Sequence, residues 1–284
     1  MTPASFSRPA SVAEAVALLA DPSTMPLAGG TDYFANRVGE LPGGRLVDLS
    51  GVDALKGIRR QDDGSWRIGA ATTWTAVLRA ALPPAFDALK LAAREVGGVQ
   101  IQNCATVGGN LCNASPAADG VPPLLALDAQ VELASHAGHG TRMLPLADFI
   151  TGPRRTACRP GELLTALLVP AEAAEGRSHF AKLGARRYLL ISIVMAAANV
   201  VLDGQGRISR ATVAVGACSP VARRLPALEQ RLAGMAASEL ARLRIEAGDL
   251  QGLDPIDDIR ASRAYRLDAA AELVRRVLLE SSER

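Results

Sequence analysis

Apolar positions open the chain in short bursts. Ser11, with Glu14 three residues on, forms a capping-box pattern before an apolar run to Ala20, which predicts a helix of about ten residues ended by Asp21-Pro22. A short strand then leads into Gly29-Gly30, and Arg45 to Leu49 reads as another strand before Gly51, a β-α-β outline. Trp66 to Ala70 predicts a strand stopping at Thr72-Thr73, where a helix through Leu82 starts; Pro83-Pro84 leads into an amphipathic helix ending near Val96. From Gly97 to Pro123 the periodicity lapses, and a long irregular stretch inside a compact domain marks a binding loop. Leu124 to Ala129 predicts a short helix, Gln130 to Ser135 and Arg142 to Leu146 paired strands, and Glu162 to Val169 a strand closed by Pro170. The small, polar Ala171 to Ser178 reads as a linker. Beyond it, Ile191 to Leu202 and Arg207 to Val215 are β-rich and joined by the hairpin signal Asp203-Gly204-Gln205-Gly206, while Leu225 to Leu250 and Ala261 to Glu280 read as helical. That pattern predicts a separate α+β unit with helices on one face.

Composition narrows the function. With 284 residues, 49% of them hydrophobic, the chain is long enough for two or three compact units with a real core. Lys and Arg total 31 against 29 for Asp and Glu, a net charge of +2, and aromatic residues make up 4%, so neither a basic field nor stacking platforms favour nucleic acid. The longest apolar stretch, Tyr188 to Leu202, is interrupted by Ser192 and Asn199 and falls short of the ~18 residues that span a bilayer. The opening MTPASFSRPA has no basic and apolar signal-peptide pattern, so a cytoplasmic location is expected. Cys104, Cys112, Cys158 and Cys218 lack the clustered spacing of zinc or iron-sulfur ligands; Cys104 and Cys112, flanking a glycine pair, read as small residues buried beneath a loop. His136 and His139 sit at a hairpin tip, His179 is the histidine nearest the expected site and reads as structural or exposed, and the paired arginines Arg154-Arg155, Arg186-Arg187, Arg223-Arg224 and Arg275-Arg276 read mostly as solvated or ion-paired, the remainder as contacts to an acidic partner or a cofactor phosphate.

Two stretches carry the candidate chemistry: Pro26 to Asp32, PLAGGTD, and Ala105 to Asp119, ATVGGNLCNASPAAD. Each has adjacent glycines flanked by hydroxyl and amide side chains, so the backbone can turn sharply and aim N–H groups at an anion. Two such loops suggest a pyrophosphate held from both sides. No GK[ST] follows either pair and neither fits GxGxxG, which points to a nucleotide other than ATP or NAD.

PLAGGTD, then ATVGGNLCNASPAADGVPPLLALDAQVEL, then FAKLGARR followed by ISIVMAAA, in that order, resembles the flavin-binding medium subunit of the molybdenum hydroxylases, the xanthine dehydrogenase and carbon monoxide dehydrogenase family. The resemblance covers nearly the whole chain. It implies an α+β protein: a two-part FAD-binding domain of the vanillyl-alcohol-oxidase type at 1–173, divided into about 1–54 and 55–173, then a smaller α+β C-terminal domain at 178–284 with an antiparallel sheet and helices. It further implies that Leu27, Ala28, Gly29, Gly30, Thr31 and Asp32 form the first FAD loop around the diphosphate. Thr106, Gly108, Gly109 and Asn110 match the second, with Thr106 on a phosphate oxygen and Asn110 near the flavin edge. Asp119 matches a carboxylate holding ribose or ribityl hydroxyls, Leu164 a backbone contact, and Lys182 a basic residue lining the site. A carboxylate close to a diphosphate would repel it, which favours the sugar contact for Asp119.

Where some relatives stack an aromatic ring on the flavin, this chain has Val96 followed by Gly97-Gly98, and no cysteine-rich insertion for a four-iron cluster follows Asp119. FAD is expected non-covalently, since no histidine lies in either glycine loop. The implied partners are a large molybdopterin-binding subunit and a small two-iron iron-sulfur subunit in a dimer of heterotrimers, with NAD among the possible acceptors and no substrate oxidation by the lone chain. No catalytic side chain is assigned; Lys182 and Asp32 are placed to tune the flavin. The alternatives are a stand-alone flavin oxidase of the same fold, which would need its own substrate cavity, and a scaffold that has lost the flavin, against which two intact glycine loops count.

Overall fold

The structure, a computed structural model, describes residues 5–35, 44–136, 140–186 and 191–282. The chain starts with β1 (Ser5–Ser7), α1 (Val12–Leu19), β2 (Thr24–Leu27), α2 (Thr31–Ala35) and β3 (Arg45–Asp48). Ser11 caps α1 as its sequence predicts, accepting from the Glu14 N–H at 3.2 Å while the Glu14 carboxylate accepts from the Ala10 N–H at 2.8 Å. The three strands pair in parallel in the order β1-β3-β2. Ala15, Val16 and Leu19 of α1 share a core with Val47, Leu49, Val52 and Leu55, and Leu163 from far along the chain closes it.

A second, antiparallel sheet follows from β4 (Ile58–Arg60) and β5 (Trp66–Gly69), continues through α3 (Trp74–Arg79) and α4 (Asp87–Glu95), and resumes later. The stretch expected to be irregular is instead a chain of short helices: α5 (Val99–Cys104), α6 (Val107–Asn113) and α7 (Val121–Ala126). Each is one or two turns long, and α7 is buried on every side, so no amphipathic period can show. Then come β6 (Gln130–Ser135), β7 (Thr141–Pro145), α8 (Leu146–Phe149), a small hairpin of β8 (Ile150–Gly152) and β9 (Arg155–Thr156), and β10 (Glu162–Val169). The sheet order is β4-β5-β10-β6-β7. The tip of the β6-β7 hairpin, including His139, lies outside the described residues, as does Arg187.

The stretch read as a linker is fixed: Ala171–Ala174 forms a 3-10 turn with Ala173 buried, and the Asn199 amide donates to the Ala173 carbonyl at 2.8 Å. The last sheet, β11-β12-β13-β14, consists of β11 (Arg177–Leu183), β12 (Val194–Leu202), β13 (Ile208–Gly216) and β14 (Arg223–Arg224), with the predicted hairpin at 203–206. The helix expected over Leu225 to Leu250 is only α9 (Pro226–Leu232). Gly234 at φ +79° ends it, its N–H and the Met235 carbonyl bond to Ile208 at the start of β13, and two 3-10 segments follow at Ala237–Arg242 and Ala247–Leu250. The second helix is α10 (Arg263–Ser282).

Residues of β12 alternate between two cores. Val194, Ala196, Ala198 and Val200 pack with Leu273, Val274 and Val277 of α10. Met195 and Ala197, with Phe180 of β11, pack on Ala88 and Ala92 of α4 and Ala126 of α7. The unit's own helices α9 and α10 lie on one face, as expected, and the alanines on the other face let α4 and α7 of the preceding region approach closely.

Candidate functional site

The first glycine loop leaves β2 and enters α2. Gly30 turns the chain at φ +67°, a conformation that strains residues with a Cβ. Gly29 meets a stricter demand, since a Cβ there would lie 2.0 Å from the Cys104 carbonyl oxygen. The two glycine loops thus touch backbone to backbone. The N–H groups of Gly29, Gly30, Thr31 and Asp32 make no hydrogen bond to any described residue. Consecutive unpaired donors of this kind are the backbone chemistry of an anion cradle.

The second loop is built differently. Thr106 caps α6, its hydroxyl oxygen accepting from the Gly109 N–H at 3.0 Å. The N–H groups of Val107, Gly108 and Asn110 donate to the carbonyls of Thr72, Ala70 and Thr106. Its glycines serve close packing: a Cβ on Gly108 would sit 2.7 Å from Ala70, one on Gly109 2.9 Å from the Thr106 hydroxyl oxygen, and neither residue has positive φ. The reading in which both loops aim backbone donors at the same anion is corrected accordingly. The first offers free N–H groups, and the second offers a wall and the Thr106 hydroxyl hydrogen.

Between the loops lies a cleft of about 660 Å³. Leu27, Ala28, Gly29, Gly30, Thr31, Asp32, Thr106, Gly108, Gly109, Asn110 and Leu164 all line it, joined by Leu55, Trp74, Val96, Ile101 and Leu163. Leu164 arrives there beside a bulge in β10, where Thr165 is the extra residue opposite β6. Two buried polar atoms on this wall have no hydrogen-bond partner: the Trp74 indole N–H and the Asn110 side-chain oxygen. A buried donor and a buried acceptor left unmade are costly, and both lie inside the wall, where Gly120 packs against Asn110 and the Trp74 ring. A size within the usual range of cofactor pockets, an apolar wall and free N–H groups fit an anionic nucleotide cofactor.

Asp119 and Lys182 come together but do not line the cleft. The Lys182 ammonium donates to one Asp119 oxygen at 2.9 Å and Ser192 to the other at 2.9 Å, in a pair whose side chains are 10% and 11% exposed. Burial pushes the Asp119 carboxyl up from its ordinary value, against the pull of Lys182 and Ser192. The pair stands behind the wall, since Gly120, next to Asp119, presses on Asn110: a Cβ there would lie 2.9 Å from the Asn110 side-chain oxygen. Lys182, expected as a basic residue lining the site, is paired with Asp119.

Cys104 and Cys112 are solvent-accessible, not buried beneath the loop. Cys112 lines the cleft. His179, half-buried on β11 and held below its ordinary value by burial, is outside the lining. Among the described residues no cluster of side chains could hold a metal ion and no helix is long and apolar enough to cross a membrane. Sequence reasoning missed Trp74, Ser192 and Arg154. The last reaches Asp32 and Asn113 across the cleft mouth, a contact between residues 122 positions apart that leaves no local signal.

Comparison with known families agrees with this geometry. Residues 2–172 match the model described as FAD binding domain in molybdopterin dehydrogenase, and residues 179–281 match the CO dehydrogenase flavoprotein C-terminal domain. The xanthine dehydrogenase FAD-binding subunit of Escherichia coli O157:H7 is 35% identical, over 98% of this chain and 96% of that one. The nicotine 6-hydroxylase medium subunit of Paenarthrobacter nicotinovorans is 30% identical, over 98% and 97%. Among solved structures, a chain of the reconstituted CO dehydrogenase from Oligotropha carboxidovorans superposes with a TM-score of 0.84 at 27% identity, covering 99% of both chains.

Proposed function

The chain belongs to the FAD-binding flavoprotein subunits of the molybdopterin dehydrogenases, and from that premise we propose that it carries electrons from two-iron iron-sulfur clusters on a small partner chain to an external acceptor. FAD, bound non-covalently, supplies the redox chemistry; the protein supplies position and electrostatics. The observation that carries the site assignment is the backbone contact of Gly29 with Cys104 beside unpaired N–H groups, which makes one cleft of the two loops.

In this reading the N–H groups of Gly29 to Asp32 bind the diphosphate, with Leu27 and Ala28 bringing the strand to it. Thr106 adds its hydroxyl hydrogen, and Asn110 and Trp74 line the cleft near the flavin edge. Gly108 and Gly109 set the wall, and Leu164 contributes at the bulge. Asp119 and Lys182, expected as direct contacts, enter as a buried pair that holds the wall behind Asn110. The flavin-binding unit is assigned to 1–173, as parts of about 1–54 and 55–173, and the C-terminal unit to 178–284. A large molybdopterin-binding chain completes the complex, as a dimer of heterotrimers in the cytoplasm with NAD as one acceptor. The medium-chain names of similar proteins support the partners.

Anaerobic bleaching of the flavin tests the electron path. Purine or aldehyde substrate should leave the lone subunit yellow and should bleach it once the iron-sulfur and molybdenum chains are added. Rapid bleaching of the lone subunit would favour a stand-alone oxidase, and none in a fully loaded complex would refute the proposed path.

A further inference from the structure

A cradle for a diphosphate should not contain an uncompensated carboxylate, yet Asp32 lines the cleft at the end of the row of unpaired N–H groups. Like charges repel, and solvent weakens this for a side chain such as that of Asp32, which is 49% exposed. The structure gives Asp32 a partner: the Arg154 guanidinium donates to its carboxylate at 2.9 Å and also to the side-chain oxygen of Asn113, another residue of the cleft lining. The Arg154 backbone N–H donates at 2.8 Å to the carbonyl of Ala114, the residue that ends α6. One residue therefore bonds both walls of the cleft mouth.

The backbone of Arg154 is unusual for such a side chain. It follows Pro153 in the two-residue turn between β8 and β9 and has φ +57°. Proline at the first corner and positive φ at the second is the pattern of a type II turn, whose second corner favours glycine. Arginine there is a local cost that turn formation does not explain, and residues held in this region are often retained for a site.

We propose that Arg154 is a positioning residue of the cofactor site: it neutralises Asp32 and holds that carboxylate toward Asn113, so that the first glycine loop accepts a diphosphate. This rests on the reading of the cleft as an FAD site. The charge role and a merely structural role differ in what the second substitution does. Arg154→Gly relieves the turn and removes the guanidinium, and Asp32→Asn removes the charge that Arg154 compensates.

The experiment is titration of deflavinated protein with FAD, followed by flavin fluorescence at low ionic strength, for wild type, R154G, D32N and R154G/D32N, with thermal unfolding of each apoprotein. The expected result is an R154G apoprotein at least as stable as wild type, FAD binding weakened fivefold or more, and recovery to within about twofold of wild type in the double variant. Unchanged affinity in R154G would overturn the proposal, and so would a double variant as weak as R154G, which would leave only a mechanical tie. Failure of the wild-type protein to bind FAD would overturn the FAD reading and this inference with it. Wild-type binding with the wrong variant pattern would overturn the inference alone.

Discussion

A β-carbon on Gly29 would have no room, because its neighbour is a backbone carbonyl and not a side chain that can turn away. Gly29→Ala should cost about 1 to 3 kcal/mol of stability, as overpacked sites do, and weaken FAD at least tenfold by parting the loops, checked by thermal unfolding and FAD titration. Gly109→Val should also weaken FAD tenfold or more, but through the Thr106 cap; positive φ plays no part there. Unchanged FAD affinity in both would remove the glycine loops from the site. Glu162, also in the lining, gives a pH prediction. The Arg142 guanidinium donates to it at 2.7 and 2.8 Å and, with the Arg159 N–H, holds its carboxyl below the ordinary glutamate value of 4.5. A carboxyl held low stabilises the fold fully above the unfolded value and loses that contribution as pH falls through the folded one. Glu162→Gln should lower stability near neutral pH by about 1 to 2 kcal/mol and flatten the acid limb of the stability curve below roughly pH 4.5, measured by denaturant unfolding across pH.

At the scale of elements, local rules held where the signal was local. Ser11 caps α1 through its side chain, so Ser11→Ala should cost about 1 kcal/mol, read from the denaturation midpoint with an unchanged m-value. The 203–206 hairpin, the β6-β7 pair and β10 were legible because turn residues and alternation mark them within a few positions. The stretch after Gly97 was not, because α5, α6 and α7 are too short for a period and are set by what surrounds them: Gly108 against Ala70, Gly29 against Cys104. The break after α9 had a visible signal in Gly234, but its reason, pairing of Gly234 and Met235 with Ile208, is a tertiary one. The site divides the same way. Glycines and hydroxyls of both loops stood out by composition, whereas Arg154 and Ser192 act through partners 122 and 73 positions away, and the pairing of Lys182 with Asp119 depends on β11 meeting the segment before α7.

For the whole molecule, four sheets share the work. The small parallel sheet brings the first loop, the five-stranded sheet brings Leu164, the separate β8-β9 hairpin carries Arg154, and β11 of the last sheet with the segment before β12 brings Lys182 and Ser192 to Asp119. α4 and α7 pack on that last sheet, so the back of the cleft wall is continuous with the C-terminal unit. On the proposed function, this arrangement holds one FAD between the two loops and leaves chemistry on substrate to the partner chains. Acid precipitation of the purified protein, with the flavin measured in supernatant and pellet, tests that claim most directly. The account predicts close to one FAD per chain, recovered in the supernatant with the mass of free FAD. Colour retained in the pellet would contradict non-covalent binding, and a protein that neither carries nor takes up FAD would contradict the account as a whole.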